Sequence, residues 1–196
     1  MAEDQKIIRK TDPHFIEEII EYGSKYFPKE EMERLKACIQ CATCTSSCPS
    51  GRRTAWRIRK IFRKAQLGLK EDALKDDELW SCTTCYTCFE RCPRRVPTTD
   101  AVRVIRNLAF RSGVANPRHL AVCGYLFKFG HAVPINDETR AVRKKIGLDE
   151  FPATVHRFPE GLKEVSKIVE ETGFKKVVDD ALKEAQLKEA QKVEKK

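Results

Sequence analysis

The stretch CIQCATCTSSCP, residues 38–49, sets four cysteines at steps of three, three and four and closes on a proline; CTTCYTCFERCP, residues 82–93, repeats those offsets 44 residues later. Structural zinc takes four ligands, usually as two CxxC pairs from separate knuckles. Each run here offers three thiols at successive CxxC steps, one more than a knuckle uses. Three closely spaced thiolates suit three corners of a cube, leaving the fourth corner to a cysteine from elsewhere.

CxxCxxCxxxCP is the bacterial ferredoxin spacing for [4Fe-4S] clusters, in which the last cysteine of each run ligates the other cluster. That rule assigns Cys38, Cys41, Cys44 and Cys92 to one cluster, and Cys82, Cys85, Cys88 and Cys48 to the second. Two intact cubanes are expected. The intervening Ala42, Thr43, Thr45, Ser46, Ser47, Thr83, Thr84 and Thr87 are small, so backbone N–H groups can approach the sulfurs and help set reduction potential. Trp56, Trp80, Tyr86 and Phe89 lie close in sequence, where they either shield clusters from water or serve as ordinary core.

The repeat continues beyond the cysteines. An offset of 44 residues pairs Leu35 with Leu79, Ile58 with Val102, Arg59 with Arg103, Ile61 with Ile105 and Ala65 with Ala109. TAWRIRKIFRKAQLG, 54–68, places Ile58, Ile61, Phe62 and Ala65 on one helical face and ends on a glycine suited to capping. TTDAVRVIRNLAFRSG, 98–113, does the same with Val102, Ile105, Leu108 and Ala109. The spacing therefore predicts an all-α fold: a pseudo-two-fold repeat of helix, cysteine loop and helix, with helical extensions at both ends.

The expected organisation is an N-terminal helical extension over 1–28, a two-cluster domain over 29–115, a helix followed by irregular, partner-wrapping chain over 116–159, and a C-terminal helical extension over 160–196. Phe15, Ile16, Ile19 and Ile20 form a helical stripe, and Pro28 with Glu30 and Glu31 marks a second helix start. Asn116 and Pro117 open a helix carrying Leu120, Val122 and Leu126. The prolines at 134, 152 and 159 signal turns. Further on, Leu162, Val165, Ile168, Val169, Val177, Val178, Ala181 and Leu182 give helices an apolar face.

With 196 residues, 41% of them apolar, the chain can form one modest core. The longest apolar patch, residues 120–129, is too short to span a bilayer and contains Lys128. No secretory leader is read, so a cytoplasmic location is expected, and in that reducing compartment nine cysteines point to metal rather than disulfides. The net charge of +9 admits a basic zinc-binding or nucleic-acid module as a rival. However, Arg52, Arg53, Arg57, Arg59, Lys60, Arg63 and Lys64 follow the first run, and Arg91, Arg94 and Arg95 flank the end of the second. They can offset the charge of about −2 on an oxidised, thiolate-bound cluster or dock an acidic partner.

Cys123 stands alone and reads as a small buried hydrophobe. His14, His119, His131 and His156 are scattered without ligand spacing. No glycine-rich dinucleotide fingerprint or phosphate loop is present. No catalytic residue is assigned, and electron centres occur without a substrate site.

The two cysteine runs in a helical ferredoxin framework, with basic helices, small size and the GHAVPIND segment at Gly130, resemble the iron–sulfur C subunit of CoB–CoM heterodisulfide reductase from methanogenic archaea. The resemblance covers most of the chain. It implies an electron-relay subunit, passing electrons from a flavin-bearing A subunit to a B subunit that reduces the disulfide between coenzymes M and B. It also implies a larger assembly with a hydrogenase or formate dehydrogenase and flavin-based electron bifurcation. Similar helical modules serve anaerobic glycerol-3-phosphate dehydrogenase, glycolate oxidase and fumarate reductase. Those often carry a plant-type ferredoxin domain or cysteine-rich CCG repeats. Here no cysteine precedes Cys38 and only Cys123 follows Cys92, which implies that the CCG part sits on a separate polypeptide.

Overall fold

A computed structural model of the chain describes residues 10–152, 155 and 158–193. Those residues form helices and turns without a strand, as the spacing predicts. No helix among them is long and apolar enough to cross a membrane. The chain divides into two compact units, one up to Ala109 and one from Phe110.

In the first unit, α1 (Phe15–Gly23) and α2 (Lys29–Glu33) precede a 3-10 turn, Arg34–Ala37, that delivers Cys38. Phe15, Ile19 and Ile20 of α1 are buried, Ile16 only partly. Pro28 precedes α2, and Glu30 and Glu31 occupy its first turn, where the helix dipole favours negative charge. After the first cysteine loop comes α4 (Ile58–Gln66), then α5 (Lys70–Leu74) and a second 3-10 turn, Asp77–Ser81, that delivers Cys82. Leu35 and Leu79, equivalent in the repeat, are both buried in these turns. The second loop leads into α7 (Thr98–Arg111).

All four residues read as the inner face of each outgoing helix are buried: Ile58, Ile61, Phe62 and Ala65 in α4, and Val102, Ile105, Leu108 and Ala109 in α7. Burying each large apolar side chain contributes about 1.5–3 kcal/mol. The repeat is broken at the helix starts. Helix α7 begins at Thr98, whereas the equivalent 54–57 is not helical and α4 starts only at Ile58. The Arg57 guanidinium explains the difference, because its Nη1 donates to the carbonyls of Gly51, Thr54 and Trp56 at 2.8, 2.9 and 2.7 Å, holding those oxygens in a loop. Gly68, at φ +67°, ends this segment and meets the Asp12 backbone, whose amide donates to the Gly68 carbonyl at 2.7 Å.

In the second unit, α8 (Pro117–Phe129) is capped by the Asn116 side chain, which accepts the Arg118 amide at 2.9 Å. Its inner face runs through Leu120, Cys123 and Phe127, packed around Val178 and Ala181 of α11 (Phe174–Val193). Val122 is 41% exposed, since a step of two from Leu120 cannot stay on one side of a helix. Ile168 and Leu182 are also exposed, while Val169 of α10 (Pro159–Glu171) is buried. The region expected to be irregular contains α9 (Asp137–Lys145), started by a capping box in which Asn136 and Thr139 satisfy each other's amides.

Candidate metal centre

Each cysteine loop rests on two left-handed residues, Gln40 (φ 57°) and Ala42 (φ 68°) in the first, Thr84 (φ 53°) and Tyr86 (φ 61°) in the second. None is glycine. Left-handed backbone costs an L-residue roughly 1–2 kcal/mol, and its recurrence at both repeat positions ties it to the loop's shape. Ala42 and Tyr86 then precede one-turn helices α3 (Thr43–Ser46) and α6 (Thr87–Glu90), which carry Cys44 and Cys88. The two short helices pack together.

Cys38, Cys41 and Cys44 ring a shallow open cavity, and the fourth thiol lining it is Cys92, from the other run. Ile39, Phe62 and Val96 complete its apolar walls. Among the described residues no three His, Cys, Asp or Glu side chains gather as a single ion requires. In the second set, Cys88 and Cys48 lie close enough to Cys82 to act on its ionisation. The Ser50 hydroxyl donates to the Ser81 carbonyl at 2.6 Å, stitching the chain after Cys48 to the residue before Cys82. Cys41 and Cys85 sit at the exposed tips of their loops.

Burial pushes the Cys44 thiol up to about 11, with Cys88 and Cys38 nearby adding to the rise. Burial also raises Cys82, against the opposing pull of the Thr84 amide and the Arg106 charge. Such thiols become thiolates readily only beside a cation, which suits metal ligation. Cys41 and Cys85 are shifted down, chiefly by the hydroxyls of Thr43 and Thr87 at 3.3 and 3.4 Å.

Donors already surround the other sulfurs. The Gly51 amide reaches Cys48 Sγ and the Val96 amide reaches Cys92 Sγ, both at 3.4 Å. Thr98 Oγ1 donates to Cys88 Sγ at 3.1 Å, and Thr99 Oγ1 lies 3.3 Å from it. These sulfurs are thiols in the structure; as iron-bound thiolates they would only accept, so every hydroxyl in contact would become the donor. The carbonyls of Cys38 and Cys82, equivalent in the repeat, are held differently. Gln66 Nε2 donates to the first at 3.0 Å, and Arg106 Nη2 to the second at 2.6 Å. Sequence reading missed Gln40, Gln66, Thr98, Thr99 and Arg106. Only the two threonines carried a signal, as hydroxyls buried in the first turn of an apolar-faced helix.

Of the basic residues near the loops, Arg57 binds carbonyls, while Lys60 and Lys64 pair with Asp76 at 3.5 and 2.6 Å. Arg59 and Arg94 are exposed and border the cavity. Trp56 is buried and Trp80 lies against the Arg106 guanidinium. Tyr86 is at the surface, donating to Asp100 at 2.8 Å. His14, His119 and His131 stand outside these sites, and His156 lies outside the described residues. Cys123 packs half-buried against the core of the second unit.

The 4Fe-4S dicluster domain family matches residues 34–96, which contain both runs. A relative from Methanopyrus kandleri, the iron–sulfur C subunit of its CoB–CoM heterodisulfide reductase, is 54% identical over 174 residues, 88% of this chain and 91% of its own. The chain belongs to the family of heterodisulfide reductase iron–sulfur C subunits. Other family members agree. The C subunit of the H2:CoB–CoM heterodisulfide,ferredoxin reductase of Methanothermobacter thermautotrophicus is 48% identical over 91% of this chain and 93% of its own. The C subunit of the ferredoxin:CoB–CoM heterodisulfide reductase of Methanosarcina mazei is 46% identical over 70% and 85%. Family membership and the dicluster match make two [4Fe-4S] clusters the cofactors of this chain, and the thiol cavity with its preset donors fits such a group. The family supplies iron–sulfur electron-transfer subunits of an oxidoreductase.

Proposed function

We propose that the chain relays electrons within a cytoplasmic heterodisulfide reductase assembly and performs no substrate chemistry itself. Cys38, Cys41, Cys44 and Cys92 hold one [4Fe-4S] cluster; Cys82, Cys85, Cys88 and Cys48 hold the other. The observation that carries this reading is the cavity in which Cys92 joins the trio of the opposite run. Cys48 as a neighbour of Cys82 supports the reciprocal exchange. When bound, each cluster takes up and returns an electron at a potential set by its surroundings. The chain's residues fix those surroundings: thiols anchor, amides and hydroxyls donate to sulfur, and α3 against α6 keeps Cys44 beside Cys88. Electrons arrive from a flavin-bearing A subunit and leave to a cysteine-rich B subunit that reduces the CoM–S–S–CoB disulfide. A hydrogenase or formate dehydrogenase feeds the assembly; the Methanococcus maripaludis relative, named as part of an H2/formate-linked reductase, supports that link.

Paired serine substitutions test the ligand exchange. If the sets are crossed, Cys41→Ser with Cys92→Ser damages one cluster and leaves about four irons and four sulfides per chain. Cys41→Ser with Cys48→Ser then damages both. The opposite pattern would return each last cysteine to its own run. For the relay, the loaded chain should copurify with the flavin subunit and be reduced by it; failure to accept electrons from that subunit rejects the role.

A further inference from the structure

The two halves share loop geometry but differ in what touches the sulfurs. On the Cys38 side, neutral amides hold the leading cysteine: Gln66 Nε2 donates to the Cys38 carbonyl at 3.0 Å and Gln40 Nε2 to Gln66 Oε1 at 2.9 Å, with Gln40 also 3.7 Å from Cys38 Sγ, while the exposed Arg59 reaches only the Gln40 carbonyl, at 3.4 Å. On the Cys82 side the same task falls to a full positive charge. Arg106 Nε donates to the Leu79 carbonyl at 3.0 Å and Nη2 to the Cys82 carbonyl at 2.6 Å, and burial draws the guanidinium's pKa below its usual value without neutralising it. The repeat position of Arg106 is occupied in the first half by Phe62, which is apolar. Thr98 and Thr99 add two buried hydroxyls on Cys88 Sγ, whereas their repeat equivalents are Thr54 and Ala55, both exposed and outside α4; Thr98 also borders the Cys38 cavity, so Thr99 alone belongs to one side.

Positive charge and donated hydrogen bonds stabilise the reduced, more negative form of a cluster and raise its potential. The Cys38 side has cations too, Arg59 and Arg94, but both are exposed. The half-buried Arg106 guanidinium is withdrawn from water onto the leading cysteine's carbonyl, so solvent and salt screen it less than they screen Arg59 and Arg94. The imbalance favours the Cys82 side.

We infer that Arg106, with Thr99, holds the cluster of the Cys82–Cys85–Cys88 trio at a higher reduction potential than that of the Cys38–Cys41–Cys44 trio, so that a single electron given to the chain settles on the Cys82 side. The ordering gives the relay a built-in direction: the Cys38-side cluster is oxidised as the Cys82-side cluster is reduced by one electron. It rests on the proposed trios but not on the exchange of Cys48 and Cys92, because every residue invoked touches a trio. Arg106 is a positioning residue in this account, acting through the ligand loop.

The test is an anaerobic redox titration of the full, cluster-loaded chain followed by electron paramagnetic resonance, with iron and sulfide measured on each sample. The parent should reduce in two steps. Arg106→Gln, which copies the Gln66 arrangement, should lower the upper step and narrow the gap while the lower step stays fixed. Thr99→Val, nearly isosteric, should lower the same upper step by less. If Arg106→Gln loses iron, the Thr99→Val titration decides. The ordering is overturned if full iron is retained and the lower step moves, or if neither step moves. A parent with fewer than about eight irons after full reconstitution counts against the two-cluster ligand reading itself, separately from the ordering.

Discussion

Replacing Asp76 by asparagine probes how the second cysteine loop is held. The carboxylate joins the halves of the repeat: Oδ2 lies 2.6 Å from Lys64 Nζ of α4, and Oδ1 accepts the Glu78 amide at 3.1 Å, capping the turn that delivers Cys82. Both side chains are largely covered, 8% exposed for Asp76 and 15% for Lys64. Burial alone would raise the Asp76 pKa, but the Lys64 hydrogen bond and charge, then Lys60 and the Glu78 amide, outweigh it and bring the carboxyl below 3.8. Breaking a buried pair costs about 3–5 kcal/mol. Here Lys64 keeps its bond to the Asp72 carbonyl at 2.7 Å and reaches water at its edge, and asparagine can still cap, so about 2–3 kcal/mol is expected. Asp76→Ala also removes the cap and should cost about 1 kcal/mol more. Because the folded pKa is depressed, the contribution is fully present above 3.8 and fades only as pH falls through the lower folded value. The gap between parent and D76N, measured by anaerobic urea unfolding followed by circular dichroism, should therefore stay level between about pH 6 and 8. A D76N stability within about 0.5 kcal/mol of the parent would refute the coupling, and equal losses for asparagine and alanine would refute the capping role.

Gly68→Ala forces a side chain into left-handed backbone, costing roughly 1–2 kcal/mol, and drives a Cβ into the Asp12 carbonyl. The same unfolding assay should show a loss above about 2 kcal/mol, and a loss under about 1 kcal/mol would mean the contact yields easily. Arg59→Glu with Arg63→Glu reverses the exposed basic face beside the Cys38 cavity while sparing the Lys64–Asp76 pair. If that face meets an acidic partner, association with the flavin subunit should slow about tenfold or more at low salt and lose most of its salt dependence, as read by surface-immobilised binding kinetics. Unchanged rates would place the partner elsewhere.

The fold was legible where chemistry constrains spacing. Period and duplication identified both buried faces of α4 and α7, because an apolar residue three or four positions from the next must share its side of a helix. They failed where a single side chain reshapes the chain. Nothing periodic in residues 54–57 announces that Arg57 will gather three carbonyls and delay α4 by a turn. Helix α9 was missed since its capping box uses threonine as the reciprocal partner and its exposed residues leave no apolar stripe. At the candidate site, the proposed ligands are picked out by spacing, whereas Arg106 meets a carbonyl 24 residues away, a relation that only folding creates.

The duplicated halves stay alike in the features that aim thiols and diverge in those that touch them. Left-handed residues recur at Gln40 and Thr84 and again at Ala42 and Tyr86, and buried leucines recur at 35 and 79, because each copy must present the same arc of sulfurs. The carbonyl of the leading cysteine needs a donor in both copies, yet any donor will serve, and that freedom lets an amide stand on one side and a guanidinium on the other. Geometry fixed by the repeat and electrostatics released from it are the conditions under which one folded unit can hold two chemically identical clusters as unequal electron sites.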